Sequence, residues 1–261
     1  MASEKTKKKK ETKPVKPIAA IALVVSAFVA MALFVGYIVN PPSSDESKGE
    51  YSGTQKFDGE ASESDLELGT TKEVLAEADV FDIVLFGHLE QDGNKENGSE
   101  AIEWIVLEKS EDKLLLISRD CIGTYKYNTS ERECVWETSD LRKYLNDQVA
   151  PKAFTEAEQD LISEKTYEGF DFSDRLFVPS KAEAKKYFEK DSYRKAKPTA
   201  FAASAGVRVQ NGYCWWWLRD AGEIDNSASY VYFDGSVREN GFSVDYDTVG
   251  VRPMMYVSIA D

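Results

Sequence analysis

The sequence has 261 residues, 42% hydrophobic, 12% aromatic and 30% charged, which gives enough apolar mass for an ordinary packed core and argues against a disordered chain. The net charge of −14 is unevenly spread: residues 1–39 hold seven lysines and two glutamates, a net of +5, which leaves −19 on everything beyond. A region that acidic repels phosphate backbones, so no nucleic-acid partner is expected.

Residues 1–17 form a basic tail, and Ile18 to Val39 follows as 22 residues without a charge. As a helix this run would rise about 33 Å, matching a hydrocarbon core of roughly 30 Å. With the lysines before it and an acidic stretch after it, the positive-inside rule places the N-terminus in the cytoplasm and everything past Val39 outside. The expectation is a single-pass protein of the cell membrane. Cleavage after Ala30-Met31-Ala32 would leave half of an overlong apolar run behind, and a core helix would not be apolar on every face. Residues 40–77 are rich in Ser, Gly, Asp and Glu and read as a flexible stalk, with a globular domain over 78–261.

The domain opens with three short apolar runs, VFDIVLFG, AIEWIVLEK and KLLLISRD, separated by turn residues, the pattern of an antiparallel meander. Leu141, Tyr144, Leu145 and Val149 then recur at helical spacing behind a Ser139 cap. Thr155–Glu158 and Ser180–Glu183 have capping-box spacing ahead of two further short helices, the second over Lys181 to Phe188. Asp191 to Gly212 has no clear period and reads as a long loop. Tyr213 to Leu218, Ser229 to Phe233, Ser236 to Arg238 and Val249 to Ile259 read as strands, with a turn at Asp234-Gly235; Pro253 confines the last to an edge or a bulge. This order gives an α+β domain of antiparallel sheets with short helices, and no alternating βαβ units of a nucleotide-binding fold.

The pieces FGHLEQDGN, IEWIVLE with LLLISRD, VWETSDLRKYLND, AFTEAEQDLI, RLFVPSKAEAKKYF, WWLRD and GVRPMMYV, from Phe81 to Val257, resemble in order and spacing a domain of unknown function, DUF6273, of bacterial surface and secreted proteins. Two positions depart from that pattern: Asp220 replaces the usual serine after WWLR, and Met254 replaces the usual alanine after Arg-Pro. The family is itself similar to the C-type lectin-like and formylglycine-generating-enzyme-like fold. The resemblance implies a compact extracellular module with irregular loops, and Trp104, Trp136, Arg142 and Trp216 as structural residues.

The stretch YCWWWLRD is the most unusual in the chain. As a strand it alternates Cys214, Trp216 and Leu218 on one face with Trp215, Trp217 and Arg219 on the other. Trp215, Trp217 and Arg219 form either a platform on which a sugar or peptide stacks or a face covered by other elements; Asp220 next to them is a further ligand-binding candidate, and Arg252, in GVRP, has the same two readings. His88, the single histidine, sits at a turn and supports no catalytic triad. Cys121, Cys134 and Cys214 lack metal-ligand spacing; either Cys121 and Cys134 pair across one loop or all three are small buried hydrophobes. Asp92, Asn94, Glu96 and Glu103 approach calcium-loop spacing, but Asn97 stands where glycine is needed and a hairpin loop reads better. No metal, cofactor or catalytic residue is therefore expected. The reading is a membrane-anchored, non-enzymatic binding module for a cell-wall glycan, peptide or protein, with a carboxylate enzyme of the cell envelope second and a structural surface protein third.

Overall fold

A computed structural model describes residues 72–260. The apolar run Ile18 to Val39, and the expected stalk up to residue 71, lie outside them. Among the described residues no helix is long and apolar enough to cross a membrane. The described residues begin inside the expected stalk: α1 (Lys72–Glu77) is helical, and its Leu75 is fully buried.

The three apolar runs form the expected meander, β1 (Ile83–Leu89), β2 (Glu100–Lys109) and β3 (Lys113–Ser118). All five residues of β3 after Lys113 are buried, so both faces of this strand are covered and the run need not alternate. The β1–β2 register shifts between Leu85 and His88, and Gly87 lies in that irregularity at φ 70°. A β-carbon there would overlap the Phe154 ring, so only glycine lets the ring pack against the strand.

After β4 (Gly123–Thr124) the chain turns helical through a 3₁₀ turn at Trp136–Thr138. Ser139 caps α2 (Asp140–Lys143), accepting from the Arg142 N–H at 3.1 Å. The helix widens into a π turn over Tyr144–Val149 before α3 (Ala150–Ala153). Pro151 has no N–H to give the preceding turn, which accounts for the widening. Both capping boxes form: Thr155 with Glu158 opens α4 (Glu156–Leu161), and Ser180 with Glu183 opens α5 (Lys181–Tyr187). Between them run the two-residue strands β5 (Ile162–Ser163), β6 (Lys165–Thr166) and β7 (Ser173–Asp174).

The segment expected as one long loop contains α6 (Asp191–Arg194), α7 (Ala200–Ser204) and β8 (Val209–Gln210). Helices of four and five residues are too short to show a period, although Thr199 caps α7 through the Ala202 N–H at 3.0 Å. The tryptophan stretch is divided into β9 (Tyr213–Cys214) and β10 (Trp216–Ala221), followed by β11 (Ser227–Val231) and β12 (Val237–Ser243). The expected final strand is likewise two, β13 (Gly250–Val251) and β14 (Met254–Ser258).

These strands make two five-stranded sheets, in the orders β1-β2-β3-β14-β5 and β12-β11-β10-β13-β4. All pairings in both sheets are antiparallel except β10 with β13. Pro253 does not confine β14 to an edge, because β14 lies between β3 and β5. The proline occupies the step Arg252-Pro253 where the chain leaves one sheet for the other, and no ladder hydrogen bond is required of it there.

Candidate functional site

The alternation read from YCWWWLRD holds. Cys214, Trp216 and Leu218 belong to one buried cluster with Ala196, Ala202 and Val231. The opposite face does not act as one platform, because its three side chains enter three environments. Trp217 is fully buried, lies edge-on to Tyr127 at 5.8 Å, and donates its indole N–H to the Tyr125 carbonyl at 2.9 Å. Arg219 pairs with Glu183 at 2.5 Å and donates to the Val178 carbonyl at 2.9 Å, with its guanidinium 5.6 Å from the Tyr167 ring. Asp220 accepts the Lys181 N–H at 2.6 Å. Arg219 and Asp220 thus fasten the start of α5 to β10, and a serine at 220 could accept the same N–H.

Trp215 follows a different course, into an aromatic face formed with β11 and β12. Its ring lies 5.3 Å from Tyr230, 4.5 Å from Tyr232 and 5.4 Å from Phe242, and Tyr246 extends the group 4.6 Å beyond Phe242. Two cations flank the rings: the Arg208 guanidinium lies 4.6 Å from Trp215 and that of Arg238 lies 4.7 Å from Tyr232. Arg238 has Asp234 at 3.6 Å, whereas exposed Arg208 makes no ion pair among the described residues. Burial pushes the Tyr230 hydroxyl above its ordinary range.

Two polar groups here have no hydrogen-bond partner. Trp215 is 8% exposed and its indole N–H finds no acceptor, although the indoles of Trp104, Trp136, Trp216 and Trp217 each have one. The buried hydroxyl of Thr248 is also unsatisfied. Both adjoin Arg208 through the backbone: its N–H donates to the Thr248 carbonyl at 2.7 Å, and its carbonyl accepts from the Trp215 N–H at 3.4 Å. Unsatisfied buried groups are rare, and two of them lie beside the backbone of this one exposed cation. Tyr230 and Tyr232, two apart in a strand, could have signalled this face in the sequence; nothing there joined Arg208 or Thr248 to it.

Arg252 lies elsewhere, 1% exposed between Phe188 and Trp216 at 5.3 and 5.2 Å. It donates to the carbonyls of Ser118, Arg119 and Arg194 at 3.0, 3.2 and 3.4 Å, and burial lowers its affinity for its proton. Trp104 and Trp136 are core residues, Trp104 donating to the Phe86 carbonyl at 2.7 Å. Trp136 and Arg142 meet at Asp174, whose side chain is fully buried. Burial holds the Asp120 carboxyl above its usual range.

All three cysteines are free thiols; Cys121 and Cys214 are buried in one cluster, and Cys134 lies outside it. Cys134 is half-buried beside Tyr127, and burial pushes its thiol up to about 11. His88 is a strand residue opposite Ala101. The suspected calcium loop is a hairpin in which Asp92 accepts from the Asn94 N–H at 2.6 Å and the Asn97 amide at 2.8 Å, while Glu103 pairs with Arg119. The carboxylates that do converge there are Glu90, Asp92 and Glu100, with ligand atoms within 4.8 Å of one another.

A family model described as "Domain of unknown function (DUF6273)" matches residues 111–259. The match takes in β3 through β14 and the aromatic face of β10–β12. No curated protein and no solved structure matches the chain.

Proposed function

The chain belongs to the DUF6273 family, and on that premise we propose that it is a membrane-anchored extracytoplasmic binding module whose ligand surface is the aromatic face of β10–β12. The observation that carries the surface is the exposed Arg208 guanidinium lying 4.6 Å from the Trp215 ring in an aromatic group that runs out to exposed Tyr246. Rings of this kind stack on the flat apolar face of a sugar, and the guanidinium suits a carboxylate or phosphate on the same ligand. We therefore read the ligand as an anionic cell-envelope glycan. The anchor is Ile18 to Val39, and the two-sheet domain is read as a distant form of the C-type lectin-like fold.

The test is the full chain in detergent micelles on arrays of neutral glycans, anionic glycans and peptides. Binding to anionic glycans should fall at least about tenfold in folded Trp215→Ala and Arg208→Gln, the loss of a stacked ring or charge-assisted bond being worth about 1.4 kcal/mol or more. Undiminished binding in both variants would remove the surface, and a preference for peptides would remove the ligand class. Turnover of a wall polymer without retention would favour the envelope enzyme. The placement is checked separately by protease added to intact cells, which should digest the domain from outside.

A further inference from the structure

Cys121 follows β3 and Cys214 closes β9, yet both attach to the same short segment, Ala196–Pro198. The Cys121 N–H donates to the Lys197 carbonyl at 2.9 Å, and its carbonyl accepts from the Thr199 N–H at 3.1 Å. The Cys214 N–H donates to the Ala196 carbonyl at 2.9 Å, with the thiol 3.3 Å from the same oxygen. Both side chains are fully buried in one cluster, and Cys214 adds to the burial that holds Cys121 as the neutral thiol. Gly250 walls the Cys121 side: a β-carbon there would come within 2.9 Å of its sulfur. The two thiols are thus held by one segment and buried together.

The geometry points to a disulfide between Cys121 and Cys214, closed while the chain folds by exchange with a small-molecule or protein disulfide. In the first step the Cys214 thiolate attacks one sulfur of the oxidant, forming a mixed disulfide and releasing one thiolate. In the second the Cys121 thiolate attacks the Cys214 sulfur and releases the other. Two protons and two electrons leave the pair, and the oxidant is reduced to two thiols. The step belongs to folding because burial excludes the oxidant and holds Cys121 as the neutral thiol once the core has closed. Cys134, outside the cluster, stays free. This pairing does not depend on the ligand surface.

The full chain is reduced in urea, refolded in detergent with oxidised glutathione, quenched in acid, alkylated and weighed. The folded product should carry one alkylated thiol, weigh about 2 Da less at the paired cysteines, and yield a peptide linking Cys121 to Cys214. Cys134→Ser should form the same link with no thiol left. The oxidised chain should melt on the order of 10 °C above the reduced one, as a long closed loop predicts. Three alkylated thiols in the folded chain, or a link containing Cys134, would overturn the pairing. If refolding fails, native chain cycled through its melting transition in the same buffer gives the count, and three thiols there are equally decisive.

Discussion

Asp174→Ala should be among the most damaging single changes in the domain. The carboxylate accepts from Arg142 Nε at 2.5 Å, the Trp136 indole at 2.8 Å and the Tyr167 hydroxyl at 2.7 Å, with the Asn146 amide at 3.3 Å, and its side chain is fully buried. Trp136 would keep the Tyr167 hydroxyl at 3.2 Å, and Arg142 would keep the carbonyls of Glu137 and Ser173 at 3.1 and 2.8 Å. Arg142 would lose its counter-charge while remaining 19% exposed. Breaking such a pair from one side costs about 3–5 kcal/mol, because it leaves a buried charge uncompensated. At roughly 2–4 °C per kcal/mol this is a fall in Tm of about 6–20 °C. Thermal and urea unfolding of the wild type, Asp174→Ala, Arg142→Ala and the double variant close a cycle with an expected coupling of about 1–3 kcal/mol. A loss under about 1 kcal/mol, or costs that add within about 0.5 kcal/mol, would show that the network does not hold the helical segment to β7.

Three further outcomes follow from the same coordinates. Burial would push the Glu183 carboxyl up, but the hydrogen bond and charge of Arg219, the Ser180 N–H and Lys165 outweigh it and hold the group at about 2, below its ordinary 4.5. The stability this gives is fully present above about pH 4.5 and is lost as the pH falls toward 2, about 3 kcal/mol in all; acid titration of Glu183→Gln should lack that slope. Gly235 sits at φ 88° with the Asp191 carbonyl where a β-carbon would go, so Gly235→Ala should lower the urea midpoint by the equivalent of at least about 2 kcal/mol. Trp215→Phe discards an indole N–H that has no partner and should be tolerated to within about 1 kcal/mol, whereas Trp217→Phe strands the Tyr125 carbonyl and should cost about 1–3 kcal/mol by the same measurement.

The local rules were readable because their signals are local. Thr155 with Glu158, Ser180 with Glu183, and Ser139 ahead of Leu141 lie within a few residues of their effects, and each was placed correctly. The meander could be read from apolar runs broken by turns. What could not be read depends on contacts between distant segments. The alternation around Trp216 showed which tryptophans share a face but not that Tyr127, Glu183 and Arg208 would divide that face among themselves. Cys121 looked closest to Cys134 because sequence distance was the only distance known, and the fold buries it in one cluster with Cys214 instead. Pro253 suggested an edge or a bulge, because a proline cannot donate to a ladder; the chain changes sheets there instead, and β14 lies between β3 and β5.

That change of sheets governs the order in which the domain is able to assemble. β13 is held by β10 and β4, and three residues later β14 is held by β3 and β5, so a stretch of nine residues, Gly250 to Ser258, closes both ladders. Until Ser258 has been delivered, β3 and β10 each present an open edge able to capture a strand from another chain. A chain halted shortly before Gly250 lacks the strands that close both ladders, which makes it an aggregation hazard rather than a smaller domain.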